Sequence, residues 1–211
     1  MTALTMNDHI FRDFLDKHSE VDAAHDIAHI ERVVKNARNI LLEESADKEI
    51  VIAAAWLHDC VSLPKDHPER KKASTLAAQK AAEFLLTTSF PKNKVPAVAH
   101  AIEAHSYSGE RSPETIEAKI VQDADRMDAV GAIGIARCFA VGGALNRAIY
   151  SPSDPFAESR EPDDSKWTLD HFYQKLFRLP DLMHTRTARK IAGKRVEFMK
   201  DYLRELSGEI N

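Results

Sequence analysis

Apolar residues recur along most of this chain at spacings of three and four, the rhythm of one face of an α-helix, and no sustained every-second-residue alternation marks a strand. Ile10, Phe11, Phe14 and Leu15 set out a first helix, with Asn7 or Asp8 placed to accept bonds from its free amides. Ile27, Ile30, Val33, Val34, Ala37, Ile40 and Leu41 form a longer stripe, predicting a second helix that ends near Glu44. Asp47 caps a third, which runs through Ile50, Ala54 and Leu57 toward Cys60. An alanine-rich segment from residue 69 to about 88 has high helix propensity. Pro91 opens a shorter helix through Val95, Val98, Ile102 and His105, where Pro96 is tolerable only in the first turn. From about residue 114 a long helix is expected through Ile116, Ile120, Val121 and Ala124, continuing past Gly131 and Gly134. Each glycine costs about 1 kcal/mol there relative to alanine, which close helix packing would explain. Two last helices are expected over residues 167–179 and 185 to about 206. The pattern predicts an all-α fold without repeats or a domain-sized linker.

Between these elements, Pro64 and Pro68 enclose a loop, residues 106–113 are polar, and Gly142-Gly143 weakens a helix end. Residues 151–166, with prolines at 152, 155 and 162, form the longest irregular stretch and are expected to be a surface excursion or a mobile lid. At 211 residues and 44% apolar content the chain is most simply one globular domain, 1–211. A net charge of −4 with dispersed basic residues argues against polymeric nucleic acid as a partner. The longest apolar run, residues 50–57, falls far short of the roughly 20 residues that span a bilayer, so no membrane is expected. Cys60 and Cys138 form no CxxC pair and read as reduced thiols, and the first residues lack the order of a signal peptide. Together these predict a soluble, cytoplasmic protein. Nothing in the pattern sets its oligomeric state.

Chemistry enters at Ala53-Ala54-Ala55-Trp56-Leu57-His58-Asp59, where a helix of small and apolar residues ends in two adjacent metal-capable side chains. Neighbours on a helix point about 100° apart, so His58 and Asp59 converge on one ion only if another element meets them. Two other stretches offer partners: His25-Asp26-Ile27-Ala28-His29 and Asp123-Ala124-Asp125-Arg126. His29 lies on the inward stripe of the second helix, where a neutral imidazole is a good ligand for a first-row metal. Asp123 and Asp125, roughly 200° apart on their helix, are alternatives for one ion; Val121, four residues before Asp125, favours Asp125 as the one that faces inward. Two imidazoles and two carboxylates suit Mn, Fe, Co, Ni or Zn, and Mg is admissible. A divalent ion held with open positions lowers the pKa of water and polarises a phosphoryl oxygen, which hydrolysis of a phosphate ester requires. His105 and Asp59 are the candidate catalytic residues, with His105 as proton donor or phosphate contact. His25, Lys65 on the proline-bounded loop and Arg126 are the candidate substrate contacts.

In order along the chain, His29 with Arg32-Val33, then His58-Asp59, then Ala124-Asp125-Arg126 resembles the His…His-Asp…Asp pattern of the HD superfamily of metal-dependent phosphohydrolases. The segments 25–29 and 123–134 resemble more closely the small HD-domain hydrolases of bacteria. The resemblance implies a helical fold, an HD-like metal-binding core over about residues 20–140 and C-terminal helices 167–206 packed on it. It also implies ligation of a divalent metal by His29, His58, Asp59 and Asp125 and hydrolysis of a small-molecule phosphate ester, often a nucleotide. Cys60-Val61-Ser62-Leu63 stands where alarmone-hydrolysing members carry an acidic pair, and the Gly-Tyr-Pro motif of cyclic-dinucleotide members is missing, so neither activity is expected. Two other functions fit such a ligand set: a di-iron oxygenase of HD-domain type, with His25 and His105 as extra ligands, and a non-catalytic helical module that keeps its metal for structure.

Overall fold

The structure is a computed structural model and describes residues 6–18, 27–61, 63, 69–106 and 111–210. It is all-α: no strand occurs among the described residues, and a lone parallel bridge joins Ala148 to Trp167. No single helix there is long and apolar enough to cross a membrane. By its internal contacts the chain divides into two compact units, residues 1–125 and 126–211.

The first unit contains α1 (Met6–His18), α2 (Ile27–Ile40), α3 (Lys48–Leu57), α4 (Ala73–Thr87), α5 (Val95–Glu103) and α6 (Ile116–Arg126) up to Asp125. α3 is apolar around its whole circumference, the pattern of a helix enclosed on all sides, and every residue from Ile50 to Leu57 is buried. α1, α2, α4 and α5 all pack against it. Asp47 caps its start, accepting from the amides of Glu49 and Ile50 at 3.0 and 3.4 Å, as the sequence predicts. α4 follows a single turn of 3-10 helix at Arg70–Lys72, and Pro96 sits in the first turn of α5, where its missing N–H costs nothing. Asp8 lies inside the first turn of α1 and not ahead of it. It is fully buried within the first turn, where both carboxylate oxygens accept from Arg38 at 2.7 Å and one also accepts from the Trp56 indole at 2.7 Å, so one charge ties α1, α2 and α3 together. The side chain of Asn7, the other capping candidate, lies outside the described residues, as does the loop of residues 64–68.

The long helix expected from residue 114 is broken. α6 ends at Arg126, a 3-10 turn spans Met127–Ala129, and Gly131 takes φ +84, a conformation that a side chain would strain, before α7 (Ala132–Ala144) begins. The second unit contains α7, a short α8 (Asp170–Gln174), a 3-10 stretch (Leu176–Leu182) and the 25-residue α9 (Arg186–Ile210). The single helix expected over residues 167–179 is therefore two short pieces, with Pro180 in the second. The segment 151–166 is an irregular, hydrogen-bonded loop. Asp170, with no exposure, accepts from both Arg160 terminal nitrogens at 2.5 and 2.9 Å and from the Asp163 amide at 2.6 Å. Asp154 closes the loop's own turn by accepting from the amides of Glu158 and Ser159. Both cysteines are free, and burial pushes each thiol up to about 12.

Candidate metal centre

Three helices of the first unit bring four predicted donors together. α2 carries His29 on its buried face, 2% exposed, beside Ile30 and Val33. α3 stops at Leu57, and His58 and Asp59 follow in the turn at its end, with His58 still helical at φ −58 and ψ −34. His58 Nε2 and Asp59 Oδ2 stand 3.6 Å apart. α6 supplies Asp125, whose Oδ1 lies 3.5 Å from His29 Nε2 and 3.9 Å from His58 Nε2. His29 Nε2 is 3.8 Å from Asp59 Oδ2. Of the two aspartates offered by the sequence, Asp125 joins the cluster, whereas Asp123 is fully buried and belongs to neither donor group.

Two polar side chains hold α6 in place. Asn36 Nδ2 donates to the Ala124 carbonyl at 3.1 Å, next to Asp125, and Gln122 Nε2 donates to the Ala104 carbonyl at 2.7 Å, next to His105. Asn36 was missed in the sequence; its one signal is a polar residue set on the apolar stripe of α2, which alone does not say what it supports.

His105 adds a third imidazole. Its ring lies 4.9 Å from that of His58 at 83°, its Nε2 is 3.5 Å from Asp59 Oδ1, and its Nδ1 is 2.6 Å from the Ile102 carbonyl. Burial pulls its pKa down, but the Asp59 and Asp125 carboxylates outweigh burial and hold it up at about 9. His58 shifts the other way: burial lowers its pKa, and the same carboxylates only partly offset that.

The fit to a divalent ion is testable on these atoms. The separations of 3.5–3.9 Å are too long for hydrogen bonds, whereas ligands about 2.1 Å from a shared ion stand ~3 to ~4 Å apart. His58 is fully buried. Its Nδ1 faces the Ala55 carbonyl at 2.9 Å, which fixes the proton there, and its Nε2 has no hydrogen-bond partner. Such an orphaned atom is costly unless a cation takes its lone pair. The three imidazoles are buried, while the side chains of Asp59 and Asp125 keep 19% and 30% exposure, so solvent reaches the cluster from the carboxylate side. Two overlapping donor groups, His29–His58–Asp125 and His58–Asp59–His105, can hold a metal ion.

Arg126, one residue beyond Asp125, donates from Nη1 to the Leu182 carbonyl at 2.6 Å. His25 and Lys65, the other expected substrate contacts, lie outside the described residues.

Comparison with known proteins places this arrangement. The HD-domain family profile matches residues 26–130, which contain all four donors. The uncharacterized protein YpgQ of Bacillus subtilis (strain 168) is 34% identical over 196 residues, 91% of this chain and 87% of that protein. A crystal structure of Bacillus subtilis YpgQ in complex with ADP superposes with a TM-score of 0.74 at 36% identity, covering 97% of this chain and 99% of that one. An HD-superfamily hydrolase from Bacillus thuringiensis superposes at 0.72 with 32% identity, covering 97% and 98%. Shared sequence along nearly the whole chain, together with the His, His-Asp and Asp donors drawn from three helices, shows that this chain belongs to the HD superfamily of phosphohydrolases.

Proposed function

We propose that the chain is a divalent-metal-dependent hydrolase of a small-molecule phosphate ester, with a nucleotide as the favoured substrate class. His29, His58, Asp59 and Asp125 hold the ion. The convergence of these donors around the partnerless Nε2 of His58 carries the reading. The ADP bound to Bacillus subtilis YpgQ supports a nucleotide over other phosphate esters.

A divalent ion in this place supplies a Lewis acid for phosphoryl oxygens and makes water far more acidic than in bulk. The protein's own groups divide the remaining work. His29 and His58 form a buried floor, and the solvent-facing Asp59 and Asp125 compensate positive charge and accept protons or hydrogen bonds from water at the mouth. His105, fixed at Nδ1 by the Ile102 carbonyl, keeps Nε2 beside Asp59 and is the proton donor to the departing oxygen. His25, Lys65 and Arg126 contact the substrate's phosphate.

The test is phosphate release from a panel of nucleoside mono-, di- and triphosphates and sugar phosphates, each with Mn, Co, Ni, Fe, Zn or Mg. Release is expected with at least one metal and one nucleotide, and is expected to vanish in His58→Ala together with the bound metal. Turnover in the wild type no higher than in His58→Ala across the whole panel would overturn the proposal. Iron content and oxygen consumption, measured on the same preparation, separate hydrolysis from di-iron oxygenase chemistry.

A further inference from the structure

The second unit holds a cavity of about 220 Å³ that the proposed reaction leaves unexplained, and its lining comes entirely from residues 129–176. Four nitrogen-bearing side chains surround it: Arg137, Arg147, His171 and Lys175. Its apolar wall comes from Val141 and Leu176, and no carboxylate lines it. Asp128, buried beside it, is matched by Arg137 Nη1 at 2.6 Å, so that pair is close to neutral. His171 has Nδ1 against Asp164 Oδ2 at 2.6 Å, which leaves Nε2 as its remaining ring nitrogen. Arg147 is different. It is half-buried, and among the described residues its guanidinium has neither a hydrogen bond nor an ion pair. A half-buried guanidinium without a protein partner, beside an ammonium and an imidazole, is an arrangement that planar or tetrahedral oxyanions satisfy.

Two features narrow the ligand. The volume is below the ~300–1,000 Å³ that encloses a drug-sized molecule, so one or two phosphoryl groups fit and a nucleoside does not. Cys138 in the wall is a thiol held up at about 12 by burial, which keeps it from acting as a thiolate nucleophile.

We infer that this cavity is an oxyanion-binding site for a phosphate or diphosphate group, with Arg147 as its principal contact, independent of the metal donors. The inference does not rest on phosphohydrolase activity. It is tested by calorimetric titration of inorganic pyrophosphate into the full-length protein kept metal-free with a chelator, where His29, His58, Asp59 and Asp125 offer no cation to a phosphate. Saturable binding at one site per chain is expected, weakened about tenfold or more in Arg147→Gln, largely restored in Arg147→Lys and unchanged in His58→Ala. Acetate at the same concentration is expected not to compete. Lys175→Gln is a second variant, expected to weaken binding in the same direction. Absence of saturable binding to wild type, equal binding by Arg147→Gln, or loss of binding in His58→Ala would each overturn the inference. None of these outcomes depends on whether the loaded enzyme releases phosphate.

Discussion

His105 is the residue at which two roles meet, since its Nε2 lies close enough to Asp59 to share a metal site and its place beside the solvent-facing carboxylates also suits a proton donor. His105→Gln separates the two. As proton donor, its loss lowers kcat by about 10²- to 10⁴-fold while metal content, read by elemental analysis, stays at the wild-type value. Loss of the metal along with the rate would make it a ligand instead. Asn36 tests positioning: Asn36→Ala strands the Ala124 carbonyl and is expected to cost about 1–3 kcal/mol in denaturant unfolding, with weaker metal binding because Asp125 is the next residue. The convergence of these four side chains was legible in the sequence because each sits at a readable place: His29 on an apolar stripe, His58-Asp59 at the end of a buried helix, Asp125 on the inward side of α6. Asp8 was not. A carboxylate near a helix start reads as a cap, and only the placement of Arg38 and Trp56 from two other helices shows it to be a buried anchor.

Helix existence followed from apolar periodicity, whereas helix interruption did not, and the junction after α6 shows why. Periodicity runs on through residues 127–131 because the 3-10 turn still buries Met127. Gly131 and Gly134 were the only local sign of a break, and a glycine in a helical pattern signals close packing as readily as a stop. Both meanings apply. Gly131 takes the left-handed turn, and a methyl group on Gly134 would sit 2.3 Å from the Ala129 carbonyl oxygen, backbone that cannot step aside. Gly134→Ala is therefore expected to destabilise by about 1–3 kcal/mol or more despite alanine's better helix propensity. Gly143→Ala, where nothing lies within 4 Å, is the control and is expected to be neutral or to stabilise by up to about 1 kcal/mol. Midpoints of chemical denaturation compare the two directly, and equal shifts would mean that the turn does not pack against α7 as described.

For the whole molecule, the proposed metal centre would make folding depend on protons and metal together. His58 keeps a folded pKa below its ordinary 6.5, so its contribution to stability is present above pH 6.5 and is lost as pH falls through the lower folded value. His105 behaves oppositely: raised from 6.5 to about 9, it contributes fully below pH 6.5 and loses that contribution as pH rises through about 9. From these two groups the metal-free protein is expected to be most stable near pH 6.5 and to weaken on either side. Trp56, 1% exposed within α3, reports unfolding of this unit when Trp167→Phe removes the second indole signal. Held as proposed, a divalent ion would bind only the folded cluster and compete with protons for His58, so at a hundredfold excess over Kd it is expected to stabilise by about 2.7 kcal/mol at neutral pH and by progressively less under acid. Thermal unfolding followed at Trp56 across pH 5–9, with chelator and with metal, checks both halves. A metal-free profile that is flat across this range would remove the buried histidines from the stability of the fold, and a metal effect undiminished at pH 5 would mean that the ion does not depend on neutral imidazole.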